Sequence, residues 1–303
     1  MFTRIIVGDD GGPEARDAVV LGAAIARATG AGLTLLQSYS PILIPTPGLT
    51  DRETLAGEAR RKLAADRRLL APEAHIDAVA DAHPARALIH EAESWHANLI
   101  VIGSSRHAAM GRSAIGSTGR ELIERGATAL IIARRGLHKQ EARLATVAVG
   151  YDGGPESNIA LHYADQIAAR AGAELLITSI VRNPVSVSLL RNGVLTAQEE
   201  LDELAERERL EAFELCSDSA RRTAAKSRPD VRLGDPRTDL RSVSDEVDLM
   251  VIGSRRWGLL PRVVLGGVGE ALVSDCGTSL LITQAAVRDS AEVPVPTTHG
   301  QEN

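Results

Sequence analysis

Short runs of aliphatic and β-branched residues alternate along the chain with stretches in which apolar positions recur at helical spacing. Ile5-Ile6-Val7, Leu33-Thr34-Leu35-Leu36, a stretch near 75–80, Leu99-Ile100-Val101-Ile102 and Ala129-Leu130-Ile131-Ile132 read as strands. Between them, Ala18, Leu21, Gly22 and Ile25 mark a helix opened by Pro13, whose missing N–H costs nothing in a first turn. Further helices are predicted over about 51–70, from Pro84 to Ser94 and from Thr118 to Arg125. Residues 99–102 are apolar without a break, as in a strand buried on both faces of a parallel sheet. Strand–helix alternation of this kind predicts an α/β fold: a doubly wound parallel sheet with helices on both faces.

The pattern then repeats. Residues 5–14 (IIVGDDGGPE) and 147–156 (VAVGYDGGPE) agree at seven of ten positions, at an offset of 142. Residues 99–106 (LIVIGSSR) and 249–256 (LMVIGSRR) agree at six of eight, at an offset of 150. TALIIA at 128–133 and TSLLIT at 278–283 keep that offset. Units of about 140 residues are whole domains, not solenoid repeats. The expected organisation is a first domain at 1–135, a polar linker at 136–144, a second domain at 145–285 and a disordered tail at 286–303.

In an open parallel sheet, ligands bind beyond the carboxyl ends of the strands, where strand order reverses. Two glycine-bearing loops per copy leave strands in that direction. In the first copy they are Gly8-Asp9-Asp10-Gly11-Gly12 and Gly103-Ser104-Ser105-Arg106, the latter followed by Gly116-Ser117-Thr118. Main-chain amides in such turns, with the positive end of a helix behind them, can cradle phosphate. Thr118 and Glu121 have capping-box spacing. Asp10 would accept hydrogen bonds from a ribose across the crevice; its bland role is that of a turn residue.

On these residues both copies resemble the universal stress protein domain of the UspA type, over about 1–135 and 145–285. Nucleotide-binding members of that family carry G-x2-G-x9-G-(S/T) after the fourth strand and an aspartate after the first. The first copy matches as Gly103-x2-Arg106-x9-Gly116-Ser117 with Asp10, and the second as Gly253-x2-Arg256-x9-Gly266-Gly267 with Asp152. The resemblance implies five-stranded parallel sheets that pair through their last strands, 129–133 and 279–283, as a pseudo-dimer, and it leaves room for a homodimer of chains. It also implies an ATP or AMP site, with Mg as an accompanying ion. Gly8 and Ser38 would lie near the adenine, with Gly150 and Ile180 as counterparts.

Both copies depart from the motif. Arginine replaces the middle glycine, which would cost roughly 1–3 kcal/mol if that position needs positive φ. The guanidinium could fill the phosphate space or bind the phosphates directly; the sequence leaves both open. Gly267 also removes a hydroxyl, worth roughly 1.5–3 kcal/mol toward a charged partner. The first copy is therefore expected to bind better than the second.

Composition narrows the field. With 34 basic and 40 acidic residues the net charge is −6, against the basic excess of most duplex binders. Seven aromatic residues (two Trp, three Tyr, two Phe) leave few stacking platforms. No apolar run approaches the ~18 residues of a membrane span, and no signal-peptide pattern is present. Two cysteines, Cys216 and Cys276, suit a reducing cytosol and read as small apolar residues. His83, His90 and His96 are spaced by seven and six, not the four that shares a metal face. The run 198–211 mixes charge signs as a solvated helix does. There is no G-x4-G-K-(S/T), no G-x-G-x-x-G after the first strand and no G-x-S-x-G elbow.

The expectation is a cytosolic, non-catalytic stress-response module that binds adenine nucleotide and an unidentified protein partner, not nucleic acid or membrane. Catalytic and metal residues are expected to be absent, with ATP hydrolysis slow at most. The competing expectation is a nucleotide-free scaffold whose cradles are blocked by Arg106 and Arg256.

Overall fold

A computed structural model of the protein describes residues 2–40, 52–126, 128–140, 142–182, 198–256 and 263–284. The tail expected at 286–303 lies outside the described residues. The first half runs β1 (Arg4–Gly8), α1 (Pro13–Thr29), β2 (Gly32–Tyr39), α2 (Arg52–Leu70), β3 (His75–Ala80), α3 (Pro84–Ser94), β4 (Leu99–Gly103), α4 (Ser117–Arg125) and β5 (Ala129–Ala133). The second runs β6 (Thr146–Gly150), α5 (Pro155–Ala171), β7 (Glu174–Arg182), α6 (Gln198–Ala220), β8 (Ser227–Gly234), α7 (Pro236–Ser244), β9 (Leu249–Arg256), β10 (Val263–Val264), α8 (Gly267–Ser274) and β11 (Ser279–Gln284). Proline opens α1 and α5, and Gly30 and Gly172 end them at φ 73° and 67°, where a Cβ would be strained.

Ten strands form one sheet in the order β3-β2-β1-β4-β5-β11-β9-β6-β7-β8, with β10 added to β9 as an antiparallel hairpin. Each half is a five-stranded parallel sheet. The halves meet where β5 and β11 pair antiparallel, Ile131 opposite Leu281. Those two residues are equivalents in the repeat (281 − 131 = 150), so the pseudo-two-fold axis passes between them. The pseudo-dimer expected from the last strands is what the chain forms.

Alternation along the strands sorts the core into two layers. Val7, Leu35 and Val101 face α1 and α2, while Ile6, Leu36 and Ile100 face α3 and α4. Residues 99–102 are buried throughout, as the unbroken apolar run predicts. The segment between the halves is docked as well as polar. Leu137 is buried, and the buried Asp17 carboxylate accepts the amides of Gly136 (2.8 Å) and His138 (2.7 Å).

At Gly103 and Gly253 helix meets strand so closely that a Cβ would run into the main-chain carbonyl of Glu14 or Glu156. Glycine at these two places is a packing requirement of the fold. Gly103→Ala should therefore destabilise the protein by about 1–3 kcal/mol, read as a lower denaturant midpoint; an unchanged midpoint would contradict this packing.

Candidate functional site

Strand order reverses between β1 and β4, so their carboxyl ends open a crevice. A cavity of about 520 Å³ lies there, and Gly8, Asp10, Ser38, Gly103, Arg106, Gly116, Ser117 and Thr118 all line it. Eight positions spread over 110 residues of sequence thus meet in one place. Asp10 and Gly116 stand on the same crevice, not on opposite faces of the half.

The phosphate-cradle candidate is the start of α4. Its N-cap is Gly116, in extended conformation, and no side chain caps the helix. The capping box expected from Thr118 and Glu121 does not form, because the N-cap is Gly116, two residues earlier; Glu121 pairs with Arg125 at 3.0 Å. The first amides of a helix have no intrahelical partner, and here they border the cavity. A Cβ on Gly116 would approach only the Ser105 Cα, at 4.0 Å. Ser104 and Ser105 close the neck of the loop: the Ala114 amide donates to Ser104 Oγ (2.8 Å) and the Ser105 amide to the Ala114 carbonyl (2.8 Å).

The same loop is held from the second half. Ser113 and Cys276 exchange main-chain hydrogen bonds, each 2.9 Å, and the Ile115 amide donates to the Val273 carbonyl at 2.7 Å. Arg112 pairs with Asp275 and, at 2.8 Å, with Asp245. Arg112 itself holds Asp275 below the usual carboxylate range, although burial opposes the shift. The cradle of one half is therefore braced by the other.

Opposite the cradle, Asp10 Oδ1 accepts the Gly12 amide at 2.8 Å, so its turn role is real. Its Oδ2 lies 3.5 Å from Arg106, and both side chains are well exposed. Arg106 has no positive φ; the only non-glycine residue with one, among those described, is His96. The strain that a positive φ would bring is therefore absent at Arg106. The guanidinium stands at the rim and leaves the cavity open.

The second half is built differently. Gly150 ends β6 beside Ile252 of β9, and Asp152 lies two residues beyond. Asp152 Oδ1 is taken by the Gly154 amide (2.9 Å) and the Ser157 hydroxyl (2.7 Å). Ile180 sits half-buried on β7. Where β4 turns away after Gly103, β9 runs on through Arg256 and folds back on Val263–Val264. The Arg256 side chain lies outside the described residues. Gly266 caps α8, but the guanidinium of Arg237 lies against Gly267, within 3 Å of where a Cβ would be. The first-half counterpart of Arg237 is Ala85, behind Pro84 at the start of α3.

Motif spacing missed Arg237, which opens a different element, and it missed Asp9. Asp9 also lines the first cavity, is 2% exposed, and has its pKa pushed up to about 6 by burial. Elsewhere burial raises both thiols, Cys216 to about 12, so neither is a reactive group. Among the described residues no group of three or more His, Cys, Asp or Glu is placed to hold a metal ion, and no helix is long and apolar enough to cross a membrane.

Comparison with known proteins agrees with this architecture. A universal stress protein of Mycobacterium tuberculosis is 27% identical over 202 residues, an alignment that spans 63% of each chain. The crystal structure of a universal stress protein from Archaeoglobus fulgidus superposes at a TM-score of 0.64 with 15% identity, covering 93% of this chain and 98% of that one. A solved universal stress protein in complex with cAMP is 24% identical over 45% of this chain and 98% of its own, at a TM-score of 0.31. The model of the universal stress protein family matches twice, at 1–134 and 144–284, so the chain belongs to that family in tandem form.

Proposed function

We propose that the first half binds one adenine nucleotide, ATP or AMP, and that the second half does not. The chain then works as a non-catalytic, cytosolic regulatory module. The observation that carries this reading is the open start of α4: uncapped amides at Gly116, Ser117 and Thr118 face Asp10 across a cavity within the ~300–1,000 Å³ usual for small-molecule sites. The phosphates take the cradle amides and the Ser117 hydroxyl. Arg106 leaves Asp10 for the phosphates, and its freed partner Asp10 Oδ2 accepts the ribose hydroxyls. The base lies along Gly8 and Ser38, where Leu36, Leu88 and Ile102 supply apolar wall. In the second half the Arg237 guanidinium takes the place of the anion, so that half serves as brace and interaction surface.

Calorimetric titration with ATP, ADP, AMP and cyclic AMP tests the reading. Ser117→Ala should weaken binding about tenfold, the worth of one hydrogen bond to a charged group. Gly116→Val should abolish binding yet leave the unfolding midpoint nearly unchanged, since the added side chain enters open space. No heat and no stability shift at millimolar nucleotide would overturn the proposal and favour a nucleotide-free scaffold.

Arg106→Ala gives a second check on the rim arginine. It should weaken ATP and leave adenosine nearly unaffected. Tighter ATP binding by that variant would show that the arginine obstructs the site.

A further inference from the structure

Beneath the cavity lies a polar cluster that the proposed nucleotide contacts do not use. Asp9 continues the inward alternation of Val7 by one step beyond β1, so its carboxyl enters the space under α2. Asp66 reaches the same space from α2. Asp9 and Asp66 are 2% and 1% exposed. Asp9 Oδ1 accepts the Gly11 amide and Asp66 Oδ1 accepts Arg16 Nε, each at 2.9 Å. Their Oδ2 atoms are both buried without a hydrogen-bond partner, as is Gln37 Oε1 on the neighbouring strand β2. Acceptors without a donor are costly inside a protein.

The second half shows what the same spot looks like when it is satisfied. Strand register pairs Thr34 with His75 and Leu176 with Arg228, so α2–β3 and α6–β8 correspond at an offset of 153. Asp66 then corresponds to Ser219, Asp9 to Tyr151 and Arg16 to Asn158. There the Ser219 hydroxyl donates to Tyr151 Oη and Tyr151 Oη to Asn158 Oδ1, both at 2.9 Å. That network has donors. In its first-half counterpart the Oδ2 atoms of two carboxyls meet no donor.

We propose that Asp9 holds a proton beside the buried Asp66 carboxyl, taken from solvent through the cavity, and that this buried acid sets the pH range over which the first half accepts an anionic ligand. The second clause rests on the nucleotide reading above; the first does not. One proton converts an orphaned acceptor into a donor and removes one of two buried like charges. The groups facing Asp9 are Asp10 on its own turn, Glu14 and Arg16 on α1, Lys62 and Asp66 on α2, and Arg106 and His107 on the cradle loop. Lys62 lays its alkyl stem against Gly11, and Glu14 is engaged by Arg135 at 3.4 Å, so neither supplies the missing donor. Burial, Asp66 and Asp10 raise the Asp9 pKa, while the Gly11 amide and Arg16 oppose them; the result is about 6.

A carboxyl with a raised folded-state pKa stabilises the fold at low pH, and that contribution is lost as pH rises from its unfolded value of about 4 toward 6. An anion in the cavity favours the protonated acid, so its affinity falls over the same interval.

The test separates the two clauses. Ligand-free denaturation of wild type, Asp9→Asn and Asp66→Asn is measured from pH 4 to 8. Relative to Asp9→Asn, wild type should lose midpoint as pH rises toward 6 and then level off, and Asp66→Asn should move that loss to lower pH. If either variant fails to fold, infrared spectroscopy of wild type should show a protonated carboxyl band at pH 5 that is gone at pH 8. A pH-independent difference, or no such band, overturns the proton on Asp9 whether or not nucleotide binds. So does a stability gain from potassium or magnesium at fixed pH in place of the pH dependence. In titrations with AMP, wild type should lose about tenfold more affinity than Asp9→Asn between pH 5 and 8. Equal losses overturn the regulatory clause. Absent AMP binding overturns the nucleotide reading and, with it, the regulatory clause, and leaves the stability result to decide the proton.

Discussion

The antiparallel pairing of β5 with β11 is the constraint on which the rest of the molecule depends. A five-stranded parallel sheet ends in an exposed strand edge, which invites uncontrolled pairing. Here the last strand of each half covers that edge for the other, with Ile131 and Leu281 at the centre. The pairing also brings the second half under the loop that follows β4. Ser113, Ile115 and Arg112 then find partners in Cys276, Val273 and the two aspartates Asp245 and Asp275. The candidate cradle of one half is shaped by contacts that a lone half could not make.

The two halves share one architecture and differ at particular polar spots. Each keeps the helix–strand contact at Gly103 or Gly253, because a Cβ there would meet main chain. Away from that contact they differ at two polar spots. In the first half the helix start behind Gly116 is open and the spot under the first turn is left with orphaned carboxyl oxygens. In the second, Arg237 lies over Gly267 and a Tyr–Ser–Asn network closes the equivalent spot. The orphaned carboxyl oxygens of Asp9 and Asp66 lie in the half with the 520 Å³ cavity. Unmet capacity costs stability unless a ligand or a proton uses it.

Much of the architecture was legible because it depends on patterns with long reach. The repeat foretold two equivalent halves, and the family resemblance foretold that their last strands would join them. Unbroken apolar character at 99–102 foretold a strand covered on both faces. Seven of the eight first-half cavity residues were legible through two glycine-bearing loops that a parallel sheet must bring together; Ser38, on β2, came only from the family resemblance. The helix cap at Thr118 misled, since capping-box spacing says nothing of which residue the chain turns on. Arg237 could not be read from the motif, because it comes from α7 and reaches Gly267 only through the fold. Asp9 was overlooked beside Asp10: adjacent residues at a strand end point to opposite sides, and only the packed α2 turns one of them into a buried acid.

The central claim is an asymmetry: an open cradle braced by a closed one. Hydrogen–deuterium exchange with and without saturating AMP addresses it position by position. The account predicts added protection confined to 8–12, 36–38 and 103–119, with 150–154 and 253–269 unchanged. Equal protection in both halves, or none in the first, would contradict it.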